Sequence, residues 1–145
     1  MAHRVRVRDF MTKDPVTLRQ DDLLRQAVEI VMVRRIRHIP VLDEGGALVG
    51  IVTDRDVQGT LPSPLSGAAA EEYEALLETT PLSRIMTRNV ITVGADDLAA
   101  EAVETLLADR IDGLPVLEGG RLVGIFTVRD ALRAYLEILR RVMPG

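Results

Sequence analysis

The sequence predicts an α+β fold in which two β-α-β-β-α repeats pack around a pseudo-two-fold axis into one module. The main observation is internal repetition, because the motifs between Met11 and Asp56 recur in the same order between Met86 and Asp130. The offset is 75 residues before a Gly-Gly turn and 74 residues after it. Two copies are too few for a solenoid, which needs at least about three stacked units, but they suit a closed pair.

Size and composition agree with a paired arrangement. The chain has 145 residues, and each half alone is near the lower limit for burying enough apolar surface. Hydrophobic residues make up 47% of the chain and aromatic residues only 3%, so the core must consist of Leu, Val, Ile and Ala. The two halves are therefore expected to bury one face of each against the other and to leave two related clefts along the seam.

Apolar periodicity and turn signals predict the elements of the first copy. Residues 16–18 form a short β-prone run, and Asp21 begins an acidic pair that precedes an amphipathic helix. Residues 39–42 and 47–52 flank a Gly-Gly turn, which predicts a β-hairpin followed by a second helix. Because a helix connects the first strand to the hairpin, all these strands are expected on one small sheet.

The second copy predicts the same order. A strand is expected near residues 90–93, a helix at 96–109, strands at 114–117 and 121–126, and a longer helix at 128–141.

The repeats delimit a first domain at residues 7–60 and a second at residues 82–141, joined by residues 61–81. Within this connection a Pro-rich and Gly-containing loop precedes residues 68–77, which predict an acidic amphipathic helix. Such a helix packs as part of the domain, or it serves as a partner surface or a mobile arm. The sequence leaves these three roles open.

Composition excludes several classes of function. The net charge of −4 gives no general attraction to nucleic acid or to an anionic membrane, and the scarcity of aromatics disfavours a base-stacking platform. The absence of cysteine excludes disulfides, thiolate catalysis and Cys-based zinc sites. No apolar run approaches the roughly 18 residues of a membrane span, and the N-terminus lacks the apolar core of a signal peptide. We expect a cytoplasmic protein that requires no metal and no other cofactor.

The repeated motifs resemble a known family, the tandem pair of cystathionine β-synthase (CBS) domains, also called a Bateman module. The matching pieces are Met-Thr at 11–12 and 86–87, hydrophobic-Pro-Val at 39–41 and 114–116, and Gly-hydrophobic-hydrophobic-Thr-x-x-Asp at 50–56 and 124–130. The resemblance covers nearly the whole chain. It implies a stand-alone regulatory module, not an enzyme, that binds AMP, ADP, ATP or S-adenosylmethionine between paired domains. It also implies a homodimer that signals to another protein by a change in shape or assembly.

The two Thr-x-x-Asp motifs, Thr53 with Asp56 and Thr127 with Asp130, have two compatible interpretations. Locally each motif predicts a capping box at the start of a helix. A helix start also offers backbone N–H groups to a phosphate, and a nearby carboxylate can accept hydrogen bonds from ribose hydroxyls. The resemblance gives the Asp that ribose role, so we expect at least one of the pairs to bind a nucleotide.

Four further candidates accompany these motifs. Arg55 and Arg129 lie inside them and are either solvated or in contact with phosphate. Thr17 and Thr92 are β-branched residues of the first predicted strand in each copy, and the resemblance implies that this strand lines the ligand cleft.

The hydrophobic-Pro-Val strands contribute another set. Pro40 and Pro115 are expected to be structural, because proline at the start of a strand removes one donor and fixes the entry angle. The neighbouring side chains of Ile39 and Leu114 are candidates for covering an adenine face.

The copies differ in charge. Arg37 and His38 end a basic cluster before the first hairpin, where the second copy has Asp112. Val128 also replaces Asp54. Two unequal sites are therefore predicted, and the one that uses Arg37 and His38 should tolerate more phosphate charge.

Gly50 and Gly124, which begin the two longer motifs, admit two structural readings. Each glycine permits close approach of a ligand to the backbone or marks a β-bulge, and the bulge is favoured.

Three functions compete at this point. The first is an adenine-nucleotide-binding regulatory module. The second is a dimeric scaffold that has kept the fold, lost the ligand and uses residues 68–77 as its contact surface. The third is an enzyme, which is disfavoured because the chain has few His, no Walker-type loop and no clustered metal ligands.

Overall fold

The computed structural model describes residues 5–63, 67 and 70–143, and it contains short helices around two small sheets. In chain order the elements are α1 (Val7–Phe10), β1 (Thr12–Lys13), β2 (Leu18–Arg19), α2 (Leu24–Val33), β3 (His38–Leu42), β4 (Leu48–Thr53), α3 (Asp54–Thr60), α4 (Ala70–Thr79), α5 (Leu82–Ile85), β5 (Val93–Gly94), α6 (Ala99–Asp109), β6 (Gly113–Glu118), β7 (Arg121–Thr127) and α7 (Val128–Val142).

The chain folds into two compact units, each built around one hairpin. The first-repeat unit contains residues 16–90, and the second-repeat unit contains the described residues up to 15 together with those from 91 onward. Residues 7–15 of the predicted first domain thus belong to the second-repeat unit, and residues 82–90 of the predicted second domain belong to the first-repeat unit.

In the first-repeat unit, the sheet has the order β2-β3-β4. β2 pairs in parallel with β3, and β3 pairs antiparallel with β4. The crossover helix α2 and the hairpin are thus where the sequence predicts them. Apolar residues from this sheet and its helices form one core cluster, whose fully buried side chains include Leu24, Ile39, Val41, Val52 and Leu82.

In the second-repeat unit, the sheet has the order β1-β7-β6-β5. β5 pairs in parallel with β6, β6 forms the antiparallel hairpin with β7, and β1 adds an antiparallel edge strand to β7. A second core cluster fills this unit, with Val7, Leu114, Val116 and Phe126 fully buried.

Several boundaries differ from the predicted ones. The first strand of each copy is only two residues long and begins after Thr17 and after Thr92, so these two threonines precede their strands. The short elements α1, β1 and α5 are additional to the prediction. Pro40 is the third residue of β3 and Pro115 the third of β6, so neither proline starts its strand. Proline is tolerated there because β2 and β5 pair only with residues beyond it, beginning at Val41 and Val116.

The acidic helix packs as part of the first-repeat unit. α4 covers Ala70–Thr79, and the predicted positions 68 and 69 lie outside the described residues. Leu77 is buried in the core cluster, and Tyr73 and Leu76 pack against it. On the outside, Arg25 of α2 forms ion pairs with Glu74 (2.7 Å) and Glu78.

None of the described helices combines the length and apolar character that crossing a lipid bilayer requires.

Candidate functional site

One end of each sheet collects the residues that the sequence singles out. In the first-repeat unit, the beginnings of β2 and β3 and the end of β4 lie at the same edge, because β2 is parallel and β4 antiparallel to β3. This edge carries Thr17 before β2, His38 at the start of β3 and Thr53 at the end of β4. His38 and Thr53 are partners in the strand register.

The second-repeat unit has the equivalent edge. Thr92 precedes β5, Gly113 begins β6 opposite Thr127 of β7, and Asp112 lies just before β6. The expected residues of each copy are therefore gathered within one unit.

Both Thr-x-x-Asp motifs form capping boxes with closely matched geometry. Thr53 N–H donates to Asp56 Oδ2 at 2.9 Å, and Asp56 N–H donates to Thr53 Oγ1 at 3.2 Å. Thr127 N–H donates to Asp130 Oδ2 at 2.9 Å, and Asp130 N–H donates to Thr127 Oγ1 at 3.2 Å. The capping interpretation is thus confirmed in both copies, and it fixes each carboxylate at the end of its sheet.

The Met-Thr motif of each repeat lies beside the Thr-x-x-Asp motif of the other repeat. Thr12 pairs with Ile125 in the sheet of the second-repeat unit, and its hydroxyl lies 3.3 Å from Asp130 Oδ1. Thr87 forms an isolated bridge with Ile51, and its hydroxyl lies 3.4 Å from Asp56 Oδ2. Sequence reasoning missed these two threonines, because each acts on an Asp that is distant along the chain.

Gly50 permits a close approach of protein rather than of ligand in this structure. A Cβ atom on Gly50 would lie 2.6 Å from Met86 Sδ and 3.0 Å from the carbonyl oxygen of Thr87. Gly124 has the same relation to Met11 Sδ, at 2.7 Å. A register shift also adjoins each glycine in its hairpin, so the favoured bulge is present as well.

Charge at the edge of the first-repeat unit is partly compensated within the protein. Arg37 Nε donates to Asp54 Oδ2 at 3.3 Å, and Asp54 N–H donates to the Arg37 carbonyl at 3.1 Å. Arg37 remains 70% exposed, so its guanidinium is available to a ligand as well as to Asp54. His38 is partly buried and Arg55 is exposed.

The corresponding edge of the second-repeat unit lacks this ion pair. Val128 N–H donates to the carbonyl oxygen of Asp112 at 2.9 Å, so the backbone arrangement is the same. Asp112 and Arg129 are both exposed. The side chains thus carry the charge difference between the copies that the sequence predicts.

The apolar candidates are buried. Ile39 and Leu114 have no exposed surface and belong to the core clusters of their units, and Pro40 and Pro115 are also fully buried. The structure therefore gives Ile39 and Leu114 a core role, with no side-chain surface to offer an adenine.

The two carboxylates differ in their surroundings. Asp130 is 2% exposed and forms an ion pair with Arg133, one helical turn further along α7. Asp56 is partly buried, and the residue of α3 that corresponds to Arg133 is Gly59. Sequence reasoning missed Arg133, although the mismatch with Gly59 is visible when the repeats are aligned.

Comparison with known proteins agrees with the architecture. The sequence profile of the CBS domain matches residues 7–62 and 82–137. A CBS domain-containing protein of Dictyostelium discoideum is 32% identical over 142 residues, which is 97% of this chain and 98% of that protein. In an enzyme relative, the inosine-5′-monophosphate dehydrogenase of Methanocaldococcus jannaschii, the match is 32% identical and covers 86% of this chain but only 22% of the enzyme. The shared region is a fraction of such enzymes.

Solved structures resemble the chain over most of its length. The CBS domain pair of protein MJ0100, in complex with 5′-methylthioadenosine and S-adenosyl-L-methionine, has a TM-score of 0.76 and 29% identity, covering 94% of this chain and 99% of that one. The protein CBSX2 in complex with AMP, known from Arabidopsis thaliana, has a TM-score of 0.77 and 26% identity with the same coverage. With the repeated capping motifs and the two β-α-β-β-α units, these matches show that the chain belongs to the CBS domain family.

Proposed function

We propose that this chain is a regulatory module that binds adenine nucleotides or related adenosine compounds through its Thr-x-x-Asp motifs. The observation that carries the proposal is the duplicated capping box, which holds a threonine hydroxyl and an aspartate carboxylate at the end of each sheet. Similar CBS pairs are solved with AMP, 5′-methylthioadenosine and S-adenosylmethionine, so this ligand class fits the fold.

The chemistry of the edge residues suits an adenosine phosphate. An aspartate carboxylate accepts hydrogen bonds from ribose hydroxyls, and arginine donates to phosphate oxygens. Arg37 and Arg55 supply positive charge beside Asp56, whereas the edge that carries Asp130 has Arg129 and the acidic Asp112. AMP, ADP and ATP are the ligands that this arrangement favours at the first edge.

We further propose that the protein acts in the cytoplasm as a homodimer and signals by a change in conformation or assembly. The effector would be another protein. Because the regulatory role needs only binding and a coupled structural change, no catalytic residue is assigned.

Calorimetric titration and thermal unfolding test the proposed function. We expect heat and a raised unfolding temperature with at least one of AMP, ADP, ATP and S-adenosylmethionine, because a ligand that binds only the folded state stabilises it. The variant that combines Asp56→Asn and Asp130→Asn should lose both signals. Glu72→Gln on the exposed side of α4 is the matched control and should retain them. Wild-type protein that gives neither heat nor a thermal shift with any of the four ligands would refute the proposal.

A second candidate, a dimeric scaffold without ligand, is favoured by the apolar surface of the second-repeat unit. Between α6 and α7 lies a groove of about 640 Å³ whose lining includes Val103, Leu107, Leu132, Tyr135 and Ile138. The last four of these side chains are exposed. Such a face on one helix pair can pack against its own copy across a two-fold axis. A pure dimer that carries and binds no nucleotide would favour this candidate over the first.

A further inference from the structure

We propose that adenosine binding resides mainly in the first-repeat unit, because Arg133 already pairs with the carboxylate that a ribose would need in the second-repeat unit. The inference rests on the proposed function, since it concerns the same pair of motifs. It assigns Arg133 as a specificity-determining residue and Asp56 as the carboxylate that accepts from the ribose.

The carboxylate of Asp130 already has three close donors. A carboxylate offers about four lone-pair positions on two oxygens. Asp130 Oδ2 accepts from Thr127 N–H at 2.9 Å and from Thr127 Oγ1 at 3.1 Å, and Oδ1 accepts from the Arg133 guanidinium. The Thr12 hydroxyl lies 3.3 and 3.4 Å from the two oxygens. With its side chain 3% exposed, Asp130 can accept from a diol only after one of these donors leaves.

Arg133 is held in this position by more than one contact. Its guanidinium also donates to the carbonyl oxygen of Phe10 at 3.1 Å. On α7 the spacing of three residues brings Arg133 and Asp130 onto one face of the helix. Arg133 brings Asp130 a positive charge as well as a hydrogen-bond donor, whereas a ribose hydroxyl is neutral, so a ribose that displaced Arg133 would replace an ion pair with hydrogen bonds alone.

Asp56 has free acceptor capacity by comparison. Its Oδ2 accepts from Thr53 N–H at 2.9 Å, and the Thr87 hydroxyl lies 3.4 and 3.5 Å from its two oxygens, much as Thr12 does at Asp130. The residue one turn further along α3 is Gly59, which has no side chain to bring a donor there. Oδ1 can therefore accept from a ribose diol without loss of an ion pair.

Substitutions at the equivalent positions 59 and 133 of the two repeats test the inference. Titration of the full chain with AMP should give one molecule bound per wild-type chain. Asp56→Asn should weaken this binding by about 10- to 100-fold, the usual cost of a lost hydrogen bond to a charged group. Gly59→Arg should weaken it similarly, because the new arginine would form with Asp56 the ion pair that Arg133 forms with Asp130. A Cβ at Gly59 meets nothing within 4 Å, so this variant is expected to fold.

The complementary variant should open the second site. Arg133→Ala should keep the first AMP and raise the stoichiometry toward two, since it removes the ionic donor from Asp130. Arg140→Ala, which removes a charge from an exposed position of the same helix, should change neither affinity nor stoichiometry. Thermal unfolding of each variant without ligand verifies that it is folded.

The results that overturn the inference differ from those that overturn the proposed function. Wild-type affinity in Asp56→Asn, or a stoichiometry that stays at one in Arg133→Ala, would overturn the inference alone. A wild-type chain that binds none of AMP, ADP, ATP and S-adenosylmethionine would overturn both.

Discussion

At the scale of single residues, the contacts of Gly50 and Gly124 explain why a glycine begins each of the longer motifs. Methionine and the following backbone pass directly over each glycine, at distances that a Cβ atom would reduce below normal contact. The adjacent Thr87 and Thr12 are thereby brought to the aspartates of the capping boxes. The two glycines, which the sequence relates to a close ligand or a β-bulge, thus also allow the threonine side chains to reach these aspartates.

Gly50→Ala and Gly124→Ala should each destabilise the protein by about 1–3 kcal/mol, the usual cost of an extra methyl group in a tightly packed site. The carbonyl of Thr87, 3.0 Å from the added Cβ at Gly50, belongs to the backbone and cannot rotate away as the Met86 side chain can. Urea unfolding measures the free energies.

Gly59→Ala is the control for these two variants. It should stabilise the protein by about 0.5–1 kcal/mol, because this helical position has open space around it. If Gly50→Ala were as stable as wild type, the close approach would have no energetic importance.

At the scale of elements, the short helix α1 is attached to the second-repeat unit by polar contacts. Arg8 Nε donates to Asp96 Oδ1 at 2.8 Å, ahead of α6, and the same guanidinium pairs with Glu118 at the end of β6. The hydrogen bond from Arg8 lowers the pKa of Asp96 below its ordinary value. All three side chains are substantially exposed, so solvent and salt weaken the interaction.

The stability contributed by this pair should depend on pH in one direction. Because the pKa of Asp96 is lower in the folded state, the contribution is complete above the ordinary aspartate pKa of about 4 and is lost as pH falls through the lowered value. Asp96→Asn should therefore be slightly less stable than wild type at pH 7 and equally stable in strong acid. Urea unfolding at several pH values measures this difference in stability. The difference should also become smaller in about 1 M salt, where the Debye length is about 3 Å and exposed charges are screened. A difference that grew toward low pH would contradict the assignment.

The sequence predicts elements with a local signal and misses elements without one. The crossover helices, hairpins and capping boxes are encoded by periodicity, Gly-Gly turns and the Thr-x-x-Asp spacing, and all are present. β1 is only two residues long, and it is held by Ile125 and Gly124, which are more than a hundred positions away. Nothing in the composition of so short a segment indicates a strand, so its pairing could not be predicted.

The candidate site divides in the same way. Thr53, Asp56 and their counterparts are identifiable because capping geometry requires those residue types at that spacing. The burial of Ile39 shows the opposite case, since an alternating strand pattern does not tell which face the core will cover. Arg133 was accessible in principle, because an arginine three residues after an aspartate on a helix predicts an ion pair.

At the scale of the whole molecule, the helices α6 and α7 present an apolar face to solvent. Leu132, Tyr135, Leu136, Ile138 and Leu139 are all exposed on α7. A face of this kind is normally covered in an assembly, which supports the proposed homodimer.

Leu132→Glu should convert the proposed dimer to a monomer, because a charge placed in an apolar interface loses its hydration without gaining a partner. Light scattering at micromolar concentration should give half the wild-type mass. Arg140→Gln, on the same helix but outside the groove lining, should leave the mass unchanged. A monomeric wild type would refute the dimer, and an unaffected mass for Leu132→Glu would exclude this face as the interface.

The exchange of the Met-Thr segments has a consequence for dissecting the protein. A gene fragment cut between the repeats would encode the first hairpin without Met86 and Thr87, which cross Gly50, and the second hairpin without the β1 strand that borders it. In each fragment, part of the sheet would be exposed because the Met-Thr segment that covers it in the full chain would be missing. Each half of the polypeptide thus needs a short segment of the other half to complete its fold, although each unit has a hydrophobic core of its own.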